Sequence, residues 1–190
     1  MARKRAFTEE ELLDAAEKLI IEHGYNGFHL KRLAEHLVSG ARSTIYQYFS
    51  NREEVAAACM KRAMDRTVSR ASRVDEKEPI PALRQLLRIY MDEADLHFIL
   101  GDIRKIDVSQ SKKAEELVGE VMEMHQALSL QLERLFKQAQ QEGDIREDVP
   151  FAILASLFFQ LINTPNVLAL PIEEWADYLF EVWYRGSGLN

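Results

Sequence analysis

The sequence predicts an all-α protein: an N-terminal three-helix helix-turn-helix domain followed by a larger helical domain, about nine helices in all. Three observations carry this. Apolar residues recur at three- and four-residue spacing through most of the 190 residues, while sustained two-residue alternation is scarce. Helix breakers are few, with 8 Gly and 5 Pro. The composition, 47% hydrophobic and 29% charged, is that of a globular chain able to bury a sizeable core.

The elements follow in order. Thr8 and Glu11 have capping-box spacing, so a helix starts there. Leu12, Ala16, Leu19 and Ile20 give it an apolar stripe, and His23-Gly24 ends it. A second short helix fits Leu30 to Leu37, with Leu33, Ala34 and Leu37 inward, and Val38-Ser39-Gly40 makes a turn. The third helix is Ala41-Arg42-Ser43-Thr44-Ile45-Tyr46-Gln47-Tyr48-Phe49, where only Ile45 and Phe49 are apolar enough to anchor it. Ser50 or Asn51 caps a fourth helix, which runs to about Val74 on a narrow stripe of Val55, Cys59, Ala63, Met64, Val68 and Ala71. After a charged connection, the stripe resumes from Pro81 through Leu83, Leu86, Leu87, Tyr90, Met91, Ala94 and Phe98, and breaks at Gly101 and again near Asp107 to Ser109.

Ser111 opens the longest helix, which reaches about Glu142 with Leu117, Val121, Leu128, Leu132, Leu135 and Ala139 inward. Its length is roughly 45–50 Å at the usual rise per residue. Gly143 is placed to be its C′ residue. Asp148 is the expected cap of the next helix, which is apolar on two faces: Phe151, Leu154, Phe158 and Ile162 on one, Ile153, Leu157 and Leu161 on the other. A final helix after Pro171 has Ile172, Trp175, Leu179, Val182 and Trp183 on one face. Gly186 to Asn190 reads as a frayed tail.

Composition narrows the function. The single cysteine, Cys59, rules out an internal disulfide framework and suits a reducing cytoplasm. The basic N-terminus lacks the apolar run of a signal peptide. The longest apolar stretch, Phe151 to Leu161, is interrupted by Ser156 and Gln160 and is too short to span a bilayer, so no membrane partner is expected. There is no nucleophile–base pairing, no His-Glu-x-x-His and no phosphate loop, which argues against an enzyme, and no cofactor is expected. The net charge of −7 is uneven: residues 1–52 carry eight Lys and Arg against seven Asp and Glu, and the acidic excess lies beyond them. An acidic body on such a head is compatible with DNA binding, because the local field at the contact surface decides.

Two short helices joined by a tight turn, the second polar and aromatic, describe a helix-turn-helix. Residues 11–55 resemble the DNA-binding domain of the TetR/AcrR family of transcriptional regulators. The matching pieces are Leu13-Asp14-Ala15-Ala16, His23-Gly24-Tyr25, Leu33-Ala34-Glu35, Ser43-Thr44-Ile45-Tyr46-Gln47-Tyr48-Phe49 and Asn51-Arg52-Glu53-Glu54. A weaker likeness covers Glu142-Gly143-Asp144-Ile145-Arg146-Glu147-Asp148. Two features depart from the family pattern. The turn from Leu37 to Ala41 is one residue longer, and Phe28-His29 stands where Ser or Thr is favoured before the second helix.

The resemblance implies a DNA-binding domain at 1–52 and a ligand-binding and dimerisation domain at 53–190. It also implies a ligand-responsive regulator, a repressor that binds a palindromic double-stranded DNA operator as a homodimer and is released by a small hydrophobic effector. Side-chain chemistry assigns the contacts. Tyr46, Tyr48, Ser43 and Thr44 offer hydroxyls to phosphate, Arg42 suits a bidentate guanine contact, and Gln47 suits adenine or phosphate. Arg52 and Lys31, each at a helix start, are phosphate candidates, and Arg3, Lys4 and Arg5 form a basic arm. The effector cavity is expected among Tyr90, Met91, Ala94, His97, Phe98, Met122, His125 and Phe159. His97 and His125 lack the tight spacing of metal ligands, so no metal is expected. Ile153, Leu157, Leu161, Trp175, Leu179 and Trp183 offer more apolar surface than one chain needs, as a four-helix dimer interface would use. The rival reading is a helical small-molecule-binding or interaction protein with a weakened DNA-binding head.

Overall fold

The computed structural model describes residues 7–37, 41–94 and 106–187. These residues form eight α-helices and a short 3₁₀ turn, with no strand among them. The helices are α1 (Glu9–Gly27), α2 (Leu30–His36), α3 (Ala41–Tyr48), α4 (Arg52–Ala71), α5 (Pro79–Asp92), α6 (Lys112–Gln141), α7 (Phe151–Ile162) and α8 (Ile172–Ser187), and the 3₁₀ turn is Val108–Gln110. The turn at Val38-Ser39-Gly40, the basic arm, and the expected break at Gly101 lie outside the described residues.

Packing divides the chain into two compact units, residues 1–64 with 95–123 and residues 65–94 with 124–190. The division falls inside α4 and inside α6, so it does not follow the expected domain boundary at residue 52.

In the first unit, Thr8 caps α1 through a full capping box. Its hydroxyl accepts from the Glu11 amide, and the Glu11 carboxylate accepts from the Thr8 amide at 2.7 Å. Gly24 interrupts α1 at φ 67° and ψ 168°, a conformation almost restricted to glycine, but helical structure resumes as far as Gly27. The expected end at His23-Gly24 is therefore a kink. α2 has His29 at its N-cap with no side-chain bond, the consequence of the missing hydroxyl. Only Leu33 of its three expected inward residues is fully buried. α4 is capped by Asn51, whose Oδ1 accepts from the Glu54 amide at 2.9 Å. Its first turns are buried on all sides, from Glu54 to Met60, rather than along a narrow stripe. Ala56, Ala57 and Ala58 lack the bulk to keep neighbouring helices apart there. Arg62 ties α4 to α1 by donating to Asp14 at 2.7 Å and Glu17 at 2.8 Å. The Glu17 bond, above all, holds its guanidinium protonated.

The second unit is built on aromatic rings. Phe136 of α6 meets Phe151 and Phe158 of α7 and Trp183 of α8 edge-on, with centroids 5.6–5.7 Å apart. Ion pairs flank this core. Arg84 and Arg88 of α5 bind Glu181 and Asp177 of α8, and Arg66 and Arg70 of α4 bind Glu93 and Asp92 at the end of α5. α6 ends as expected at Gly143, whose φ of 80° lets the Asp144 amide reach back to the Ala139 carbonyl at 2.9 Å. The expected cap of α7 is corrected. Pro150 occupies the N-cap, and the Asp148 carboxylate is instead held by Arg146, which also keeps its pKa below the usual carboxylate value.

Candidate nucleic-acid interface

α3 has one face in the core and one in solvent. Ile45 and Phe49 are buried, as their four-residue spacing requires, and Thr44 joins them at 5% exposure. Arg42, Ser43, Tyr46 and Gln47 all lie on the open side, with Tyr46 50% exposed. A cation, two hydroxyls and an amide thus share fewer than two turns. That inventory matches phosphate oxygens and the acceptor and donor edges of bases. Lys31 at the start of α2 is also exposed, 3.9 Å from Glu35.

Three of the expected contact residues are placed differently. Thr44 points into the core, so its hydroxyl is not on the open face. The Tyr48 hydroxyl donates to the Phe7 carbonyl at 3.2 Å, which pins the segment before α1 to the end of α3. Arg52 is half-buried: it donates to Glu53 at 2.8 Å and lies 5.0 Å from the Tyr25 ring centre. The Glu53 hydrogen bond is the main reason its pKa is raised. Burial, then Glu53, pushes the Tyr25 hydroxyl up in turn.

The expected effector residues are spread out. Tyr90 and Met91 are buried on α5, and burial alone raises the Tyr90 pKa. Ala94 and Phe159 are half-buried, whereas Met122 and His125 are exposed on α6. His97 and Phe98 lie outside the described residues. A groove of about 500 Å³ opens along α5 between Ile80, Pro81, Arg84, Gln85 and Arg88, and none of the expected lining residues borders it. Among the described residues no group of three or more His, Cys, Asp or Glu is arranged to hold a metal ion.

The expected dimer residues divide as well. On α7, Ile153 and Leu157 are 51% and 53% exposed, and Leu161 is half-buried. On α8, Trp175 and Leu179 are half-buried. Trp183 instead belongs to the aromatic core at 7% exposure, because Ala176, Phe180 and Trp183 form the inward stripe of α8. Sequence reasoning passed over Tyr178, which is exposed on the same row as Trp175, Leu179 and Val182. Its three-residue spacing from Trp175 was the available signal.

A short helix with a polar, solvent-facing side, packed against the helix before it, has the form of a helix-turn-helix DNA-binding module. Residues 12–59 match the model for bacterial regulatory proteins of the tetR family. That match covers the helix-turn-helix segment, and over it the chain is similar to the DNA-binding domain of those regulators. The chain is also similar to the fatty acid metabolism regulator protein of Bacillus subtilis (strain 168), with 25% identity over 159 residues, 80% of this chain and 78% of the relative. Its fold is shared with the ketosteroid transcriptional regulator KstR2 of Mycobacterium tuberculosis, at a TM-score of 0.77, 13% identity, and 99% and 100% of the two chains. It is also shared with AibR, solved with isovaleryl coenzyme A and operator DNA, at a TM-score of 0.69, 20% identity, and 91% and 96% coverage. No helix among the described residues is long and apolar enough to cross a membrane.

Proposed function

We propose that the chain is a dimeric repressor that reads a palindromic operator with Arg42, Ser43, Tyr46 and Gln47 and is released by an acyl-coenzyme A thioester. The observation that carries the DNA reading is the clean division of α3, with Ile45 and Phe49 buried and those four polar residues facing solvent. One such helix covers only a few base pairs, so two-fold pairing is needed for a specific site. The outward apolar residues of α7 and α8, Ile153, Leu157, Tyr178 and Val182, supply a surface for that pairing. The DNA-binding part is residues 1–52, and the rest carries dimerisation and effector binding.

The effector class is supported by the fatty acid regulator among its relatives and by the coenzyme A thioester bound to AibR. α5 supplies apolar residues of the right kind, including Tyr90 and Met91. Coupling follows from linkage: a ligand that prefers the DNA-free setting weakens DNA binding by the factor that DNA weakens its own.

The test is fluorescence anisotropy on DNA from upstream of the protein's own gene, titrated with salt and then with acyl-coenzyme A thioesters of increasing chain length. Tight, salt-sensitive binding that survives competitor DNA and is released by one chain-length range supports the reading. Binding released equally by free coenzyme A would remove the acyl group from the proposal. Failure to bind any site selected from random DNA would remove the DNA reading.

A further inference from the structure

The recognition helix α3 has eight residues, too few to be stable or fixed in direction by itself. Its last carbonyls lack partners within the helix. One of them, from Tyr48, accepts a hydrogen bond from the Lys113 Nζ at 2.9 Å. The same ammonium lies 4.2 Å from the centre of the Phe49 ring. A cation at a helix C-terminus and over an aromatic face is favourable on both counts.

Two residues earlier, just before α6, the Ser111 hydroxyl donates to Glu54 Oε1 at 2.7 Å and accepts from the Ala114 amide at 3.2 Å. Ser111 therefore caps α6 and holds Glu54 with the same oxygen. Glu54 is 5% exposed, and its Oε2 accepts from the Ser50 amide at 2.8 Å in the link between α3 and α4. Lys61 of α4 and Glu120 of α6 add an ion pair at 3.4 Å. The start of α6 thus fixes the end of α3 through contacts 57 and 65 residues apart in sequence, all within the first compact unit.

We infer that Ser111 and Lys113 are positioning residues for the recognition helix, which set its direction on DNA through Glu54, Ser50 and the Tyr48 carbonyl. This rests on α3 being the DNA reader. A displacement of α6 along its axis is then passed to α3 through the latch and not only through α4. Lys113 acts on the backbone of α3 and does not bind phosphate.

The test uses full-length Lys113→Met, Lys113→Arg and Ser111→Ala. The first keeps the length of the stem, and the second retains a donor for the carbonyl. Amide hydrogen exchange over residues 41–51, measured without DNA, is expected to quicken about five- to tenfold in Lys113→Met and Ser111→Ala and to stay near wild type in Lys113→Arg. Operator affinity is expected to fall by a similar factor in the first two, with the slope of log affinity against log salt unchanged. A slope shallower by about one would make Lys113 a phosphate ligand and overturn the inference. Unchanged exchange would overturn it as well. A wild-type protein that binds no DNA, yet shows the exchange change on substitution, would instead remove the DNA reading and leave the latch standing.

Discussion

α3 and α8 are both amphipathic helices with one face in the core, and the difference lies in what each leaves outside. α3 exposes Arg42, Ser43, Tyr46 and Gln47, which water satisfies as well as DNA does. α8 exposes Tyr178 and Val182 beside half-buried Trp175 and Leu179, and water offers these no comparable partner. The inner faces differ too. α8 is 16 residues long and plants Phe180 and Trp183 among rings, whereas α3 is half that length and adds polar ties from distant chain to its buried Ile45 and the adjoining Phe49. On the proposed reading, the helix that meets DNA is held partly by breakable polar bonds, and the helix offered for association is held by packed volume.

The largest effect should come from removing that volume. Phe136 is fully buried and meets three other aromatic rings, so Phe136→Ala should destabilise the second unit by about 3–5 kcal/mol. Chemical denaturation read by tryptophan fluorescence measures it, and a loss under about 1 kcal/mol would show a looser core than the ring contacts imply. Val182→Asp should leave the core intact, because Val182 is 74% exposed, but it puts a charge on the outward row. Sedimentation at micromolar concentration should then show monomer where wild type shows dimer. A dimer that persists would place the association surface elsewhere. Arg42→Ala should cost about 1–3 kcal/mol at one base position and relax preference there, while Tyr46→Phe weakens all sequences alike. Equal losses on every sequence from both substitutions would remove the base contact from Arg42.

What could be read from the sequence was what short-range rules govern. The capping box at Thr8, the C′ glycine at Gly143, the limits of α6 and the two-faced α7 are set within a turn or two of chain. The buried pair Ile45 and Phe49 follows from spacing alone, and it marked which side of α3 is open. The misplaced residues depended on partners far away. The Tyr48 hydroxyl is taken by a carbonyl 41 positions earlier, and Thr44 turns inward beside Ile45. Trp183 shows another limit. The apolar residues of α8 cover too wide an arc for periodicity to say which part faces the core, and the rings of Phe136 and Phe158 decide it. Asp148 had helix-cap chemistry, but an arginine two residues away competed for it.

The smallest of these effects separates anchoring from reading most cleanly. Asn51 contributes one hydrogen bond to the Glu54 amide and stands between the exposed face of α3 and the buried start of α4. Asn51→Ala frees that amide, which should cost about 1 kcal/mol. In a chain of this size that lowers the melting temperature by about 2–4 °C. Asn51→Asp keeps an acceptor and adds a negative charge at a helix N-terminus, so it should match or slightly exceed wild type in thermal stability. The same aspartate faces the phosphates if α3 enters a groove, so its operator affinity should fall while its stability does not. A stable Asn51→Asp protein that binds operator as tightly as wild type would move the DNA backbone away from the start of α4 and leave the open face of α3 as the whole contact.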